Sequence, residues 1–421
     1  MVNNVNIYAY NRDANSGTRE AFNTAIDFDS QNDKYSENVF ETNGNDMMFD
    51  RVAKTKNSIG YVSLDTLYDD AGNVSRDGIK PLGTTAVPNP KDIKENIQNY
   101  EAKRPFNVFF RIPQDVSEYL HLPDNLYINS SEASSNGIDN IFSENFVIPS
   151  SWDLPPDVYQ VNDEYEAKFA VSYLFFNWIF YSNEAKDLMD LAYEPINLTK
   201  YSYFDSIPQS GEEDVVENYI ENTGLDDYFS SGGYDENNRL KITTQGSTSV
   251  VSLLNTLMTD EEEGFISILE DHNLYITYEQ VHLGSGDAFK NSTPTSSEIF
   301  LGFQSRGFED EEITGDDWGY DLDLTQTYDL VNQDDFVVDL NSEILSGFYN
   351  PLALYENGSY LLYGSFYIDA IVFIINDEIE SNEGLDSSDI GYIDVKGVKD
   401  IYTNNVTWDD LYDDGLIGNY E

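Results

Sequence analysis

The chain sorts into short runs that alternate apolar and polar positions and longer stretches with apolar residues every three or four positions. "VNIYAY" opens a strand, polar turn and helix over residues 1–26, and "NSIGYVSLDTL" (57–67) predicts a strand. "NPKDIKENIQNY" (89–100) predicts a helix with Pro near its start. "FNVFFRI" (106–112) predicts a strand, followed by a polar, Pro- and Ser-rich stretch over 113–160 read as loop with short elements. A long apolar helix is predicted over 165–192 and a shorter amphipathic one over 212–225. "SSGGYDENNR" (230–239) is the best linker candidate. Residues 240–258 and 274–289 each read as strand, small-residue turn and helix. "EIFLGFQSR" and "YIDAIVFIIN" read as strands, and "VKDIYTNNVTWDDLY" as a short helix and turn. Strands alternating with helices predict an α/β chain.

Composition narrows what such a chain does. Its 421 residues suffice for two ordinary domains or one two-lobed protein. The 78 acidic side chains against 22 basic ones give a net charge of −56, which repels nucleic acid and anionic membrane surfaces. The acids run along the whole chain, so they read as a solvated surface suited to salty surroundings or as a plain solubility device. With no Cys there is no disulfide, thiolate metal site or thiol nucleophile. His121, His272 and His282 lie apart without ligand spacing. The acidic stretches 27–38 and 314–325 lack EF-hand spacing and read as solvated loops. No metal and no cofactor is expected. No signal peptide opens the chain, and its most apolar stretches are too short or too interrupted to span a bilayer. A soluble molecule is expected, with any export signal lying beyond the chain as given.

Three segments share one plan: a strand, a turn of Gly, Ser and Thr, then a helix. They are "ANSGTREAF" (14–22), "TQGSTSVVSLL" (244–254) and "LGSGDAF" (283–289). Each places hydroxyls and N–H groups at a helix start, where an anion can be held. Each alone is equally an ordinary N-cap. They lack the Gly-Lys-Ser/Thr of a P-loop and the glycine spacing of a dinucleotide fingerprint.

As an ordered set these segments resemble the PstS-type phosphate-binding proteins of phosphate ABC transporters. "RDANSGTREAF" is similar to the family's Arg-x-x-Gly-Ser-Gly-Thr-x-x-x-Phe, with Asn15 in place of the first Gly. "NSIGYVSL", "GIKPLGTTAVPNPKDIKENIQNYEAKRPF" and "FFNWIFYSNEAKDLMDLAYEPI" resemble the rest of its C-terminal half. "ITTQGSTSV", "LGSGDAF", "GFQSR", "YIDAIVFIIN" and "KDIYTNNVTWDDL" resemble its N-terminal half. The order is reversed: residues 240–421 match the family's first half and 1–229 its second. The resemblance therefore implies a circular permutation in which 230–239 joins the old termini, whether natural, engineered or a fragment of a tandem repeat.

The resemblance implies a two-lobed periplasmic-binding-protein-like fold of type II with the ligand cleft between lobes. One lobe would comprise 1–106 and 375–421, the other 107–374. The phosphate ligands would be Arg12, Ser16, Gly17 and Thr18 from one lobe, Thr248, Ser249 and Ser305 from the other, and Asp369. Arg12 would offer a planar fork to two oxygens. Arg306 is expected in a structural salt bridge, and "LGSGDAF" in shaping the cleft. Asp369 is the selective element: a carboxylate beside an anion is repulsive unless the anion carries a proton to donate, as hydrogen phosphate does and sulfate does not. Its plain alternative is a strand-end carboxylate capping a turn. The long-range repulsion is screened beyond about 8 Å at physiological salt, so capture should quicken as salt rises. The expected protein is no enzyme. It is a monomer outside the cell, periplasmic or on its surface, that passes phosphate to an ABC permease. The rivals are a surface or adhesive protein that kept the fold, and a binder of another oxyanion.

Overall fold

A computed structural model describes residues 6–14, 16–28, 32–69, 72–112, 161–189, 216, 220, 223–282, 284–286, 288, 299–306, 328–329, 352–356 and 359–420. The loop expected over 113–160, the acidic stretch 314–325 and most of the helix expected over 212–225 lie outside the described residues. The chain is mixed α/β. Its strands include β1 (Tyr8–Arg12), β2 (Val39–Thr42), β3 (Ser58–Ser63), β4 (Ile79–Leu82), β5 (Lys103–Ile112), β6 (Leu240–Gly246), β7 (Ile276–His282) and β8 (Leu301–Gln304). Further along come β9 (Tyr328–Asp329), β10 (Leu352–Glu356), β11 (Ser359–Asn376), β12 (Tyr392–Ile393) and β13 (Ile417–Gly418). Two compact units form: Met1–Pro105 with Ile368–Glu421, and Phe106–Tyr367.

The first unit is built on a mixed sheet. β1 pairs parallel with β2 and with β3, while β11 pairs antiparallel with β3 and with β4. Helices α1 (Gly17–Ala25) and α2 (Gly44–Lys54) follow β1 and β2, and the single turn α3 (Leu64–Leu67) follows β3. Burial explains the helices: Phe22 of α1 stacks on Tyr61 with ring centroids 4.1 Å apart, and α2 buries Met48, Phe49 and Val52. The pattern reading does not mark β2 or α2.

Residues 89–100 form two 3-10 turns, Pro90–Asp92 and Ile97–Asn99, not the expected helix. The break lies at Asn96, whose backbone leaves the helical region at φ −119°, ψ 25° and whose side-chain amide donates to the Asp92 carbonyl at 3.0 Å. Ile93, Ile97 and Tyr100 are nonetheless buried, as the apolar spacing required.

In the second unit β6 lies between β7 and β8, parallel to both, and β8 pairs antiparallel with β5. The helix Glu164–Tyr181 is apolar around most of its circumference and is accordingly buried, its Phe175 and Trp178 sharing a core with Phe110, Phe265 and Phe300. The stretch read as one helix over 165–192 stops at Ser182, whose hydroxyl accepts from Ala185 N–H at 3.0 Å and starts a second helix, Asn183–Met189. The linker candidate is partly helical. Leu225–Gly232 is a helix closed by Gly233 at φ 71°, and an Asp235–Asn238 turn leads into β6.

Candidate functional site

In parallel α/β sheets, ligand groups gather beyond the carboxyl ends of strands. Arg12 and Ser63 are the last residues of β1 and β3 in the first unit. In the second unit Ser247 directly follows β6 and Ser305 directly follows β8.

The turn after β1 departs from ordinary capping. Ser16 is the N-cap of α1, but its hydroxyl makes no capping bond. It is buried and has no hydrogen-bond partner among the described residues. Beside it in sequence Arg12 is 3% exposed and makes no ion pair among the described residues. Its Nη1 donates to Asn45 Oδ1 at 3.1 Å, while buried Nε has no partner among the described residues. The Nε/Nη2 edge, the one that grips two oxygens side by side, therefore makes no hydrogen bond to any described residue. Asn45 stands in the first turn of α2 and holds the other end of the guanidinium. Burial, and then the positive charge of Arg104, push the Arg12 proton affinity down, with Tyr61 and Asp13 opposing. Tyr61 OH donates to Asn11 Oδ1 at 2.5 Å, and burial pushes this phenol above its ordinary range.

A second guanidinium is fully engaged. Arg104 Nε and Nη2 both donate to Asp369 Oδ2, at 2.8 and 2.5 Å. Arg104 Nη1 donates to Thr18 Oγ1 at 2.9 Å, and Nη2 also reaches Ser63 Oγ. Asp369 Oδ1 makes no hydrogen bond to a described residue. Asp65, in α3, keeps solvent-exposed surface. Crowding by the surrounding protein and then the charge of Asp369 raise its carboxyl above the ordinary range, while Arg104 opposes this.

The second unit gathers hydroxyls. Ser305 Oγ lies 2.9 Å from Ser247 Oγ and 3.4 Å from Ser285 Oγ, and all three residues are buried. Ser305 N–H donates to Ser285 Oγ at 3.3 Å. The two preceding glutamines fasten the Gly-Ser-Gly turn: Gln304 Nε2 donates to the Ser285 carbonyl at 3.1 Å and Gln245 Nε2 to the Ala288 carbonyl at 2.8 Å. Gly246 makes this approach possible, because at φ 124° an added Cβ would stand 2.0 Å from the Phe303 carbonyl oxygen. Here the capping reading does apply: Ser247 accepts from Ser249 N–H at 3.2 Å. Ser249 is buried and Thr248 exposed. Arg306 is buried, and its carbonyl accepts from Asn107 Nδ2 at 2.7 Å.

Thus Arg12, Ser16, Gly17, Thr18 and Asp369 fall in the first unit, with Thr18 and Asp369 joined through one guanidinium. Thr248, Ser249 and Ser305 fall in the second. The residue-by-residue reading left out Arg104, Ser63, Ser247 and Ser285. Ser247 and Ser285 lie inside turns already singled out. Arg104 stands in "YEAKRPF", where no neighbouring residue marks it as more than a surface cation.

No family model matches the chain, and no curated protein matches it. Among solved structures it is similar to a phosphate ABC transporter, phosphate-binding protein from Streptococcus pneumoniae TIGR4. The identity is 14% over 96% of this chain and 99% of that one, with a TM-score of 0.45. No helix among the described residues is long and apolar enough to cross a membrane.

Proposed function

We propose that this chain binds inorganic phosphate reversibly, without chemistry, as the solute-binding component of a phosphate uptake system. The observation that carries the reading is the buried Arg12. A guanidinium taken out of water without a counter-charge costs several kcal/mol, on the order of the ion penalties known for protein interiors. An unsatisfied buried donor adds about 1–3 kcal/mol. A tetrahedral oxyanion on the Nε/Nη2 edge, with the Ser16 hydroxyl and the first N–H groups of α1, would offset these costs together. Ser16 serves no structural cap, which supports a ligand role for its hydroxyl.

Asp369 selects for phosphate over sulfate in this proposal. Arg104 grips one carboxylate oxygen and leaves Oδ1 to accept the proton of hydrogen phosphate. Sulfate offers no proton there. Arsenate, with the same proton, is the expected competitor. Ser305, Ser249 and Thr248 are proposed as further hydroxyl and N–H donors. The segment order is proposed to be a circular permutation of the PstS-type order. An ABC permease is the proposed partner, and the exterior of the cell the proposed site of action.

Equilibrium dialysis of phosphate-stripped protein against labelled phosphate tests this. Saturable binding displaced by arsenate, with sulfate ineffective at a hundredfold excess, is the expected result. No retained label at millimolar phosphate overturns it.

A further inference from the structure

We propose that Arg104 is the positioning residue that decides which anion this site prefers, by holding Asp369 through a single oxygen. The inference rests on the phosphate reading above. Arg104 and Asp369 side chains are each 1% exposed, and the guanidinium draws together four segments far apart in sequence: β5, β11, the first turn of α1 and the end of β3.

The contact is not the parallel fork in which each nitrogen meets its own oxygen. Nε and Nη2 converge on Oδ2, while Nη1 turns to Thr18 and Nη2 also serves Ser63. Two consequences follow. Asp369 keeps Oδ1 as an acceptor. Its charge is also cancelled by Arg104, so the charge of Arg12 is left to attract the anion. The charged neighbours facing Asp369 are Arg104 from β5 and Asp65 from α3. With Arg104 removed, Asp369 and Asp65 are two like charges without the counter-charge that opposed their repulsion, which drives the pair to share a proton. A carboxyl pair holding a proton offers a donor, suited to sulfate and no longer selective for hydrogen phosphate.

The test is competition calorimetry with inorganic phosphate and sulfate on the wild type, Arg104→Gln and Arg104→Lys, with circular dichroism to confirm folding. Arg104→Gln should weaken phosphate, strengthen sulfate and lower the phosphate-to-sulfate preference by about tenfold or more. Arg104→Lys keeps the charge and loses the fork. It should hold the preference within about threefold while phosphate affinity falls by more than about threefold. A merely structural Arg104 would lower the melting temperature of both variants and leave affinity and preference in the folded protein unchanged, which overturns the proposal. If Arg104→Gln does not fold, unchanged phosphate affinity in Arg104→Lys overturns it alone. A wild type that binds no phosphate overturns the phosphate reading and this proposal together. A selective wild type with an equally selective Arg104→Gln overturns this proposal only.

Discussion

Replacing Arg12 by Met should cost the ligand-free protein no more than about 1 kcal/mol of stability and abolish its stabilisation by phosphate. Met keeps much of the buried stem of a residue that is 3% exposed. Removing an uncompensated buried ion in favour of an apolar side chain is worth about 1–4 kcal/mol. Against this stands the bond from Nη1 to Asn45 Oδ1, 3.1 Å long and part-buried, whose loss costs about 1–2 kcal/mol. The balance runs from about 1 kcal/mol against the variant to about 3 kcal/mol in its favour. Phosphate favours the wild type: at a hundred times its dissociation constant it adds about 2.7 kcal/mol to the wild type and nothing to a variant that does not bind. Urea unfolding, followed by tryptophan fluorescence in phosphate-free buffer and again with phosphate, reads both quantities. An Arg12→Met protein less stable than wild type by more than about 2 kcal/mol without phosphate would refute the reasoning, because Arg12 would then be paired and structural. An equal phosphate gain in both proteins would refute it too.

Other substitutions probe the remaining parts. Asp369→Asn should raise sulfate affinity relative to phosphate by about tenfold, since the amide supplies a donor and removes a like charge; paired titrations giving an unchanged ratio would favour a purely structural carboxylate. Ser305→Ala should weaken phosphate by about five- to tenfold through the loss of one hydroxyl at about 1–1.5 kcal/mol, measured by dialysis on the folded variant. Gly246→Ala should lower stability by more than about 2 kcal/mol, because its Cβ would stand 2.0 Å from a backbone oxygen at φ 124°; calorimetric melting near the wild-type temperature would contradict that geometry.

Local chemistry was legible in the sequence where it is carried by neighbouring residues. The strand–turn–helix units around Ser16 and Ser247 follow from alternation and small polar turns, and both appear in the structure. Local sequence cannot separate a Ser that caps its helix from one that does not. Ser247 spends its hydroxyl on Ser249 N–H and Ser16 spends its own on nothing described, a difference set by how each turn is buried. Arg104 was illegible for a stronger reason: its partners Thr18, Ser63 and Asp369 lie 86, 41 and 265 residues away and meet only through the sheet. The helix expected over 89–100 shows the converse error. The apolar spacing of Ile93, Ile97 and Tyr100 reports burial correctly, yet the chain leaves the helical region at Asn96 and forms 3-10 turns, which apolar spacing alone does not distinguish from a helix.

The central claim is that the buried Arg12, whose Nε/Nη2 edge bonds to no described residue, binds phosphate, and calorimetric titration of inorganic phosphate into phosphate-stripped wild-type protein tests it most directly. The account predicts saturating heat with a stoichiometry of one, no comparable heat from sulfate, and no heat from either anion in Arg12→Met. A flat phosphate titration of folded wild-type protein, or the same isotherm from Arg12→Met, would contradict it.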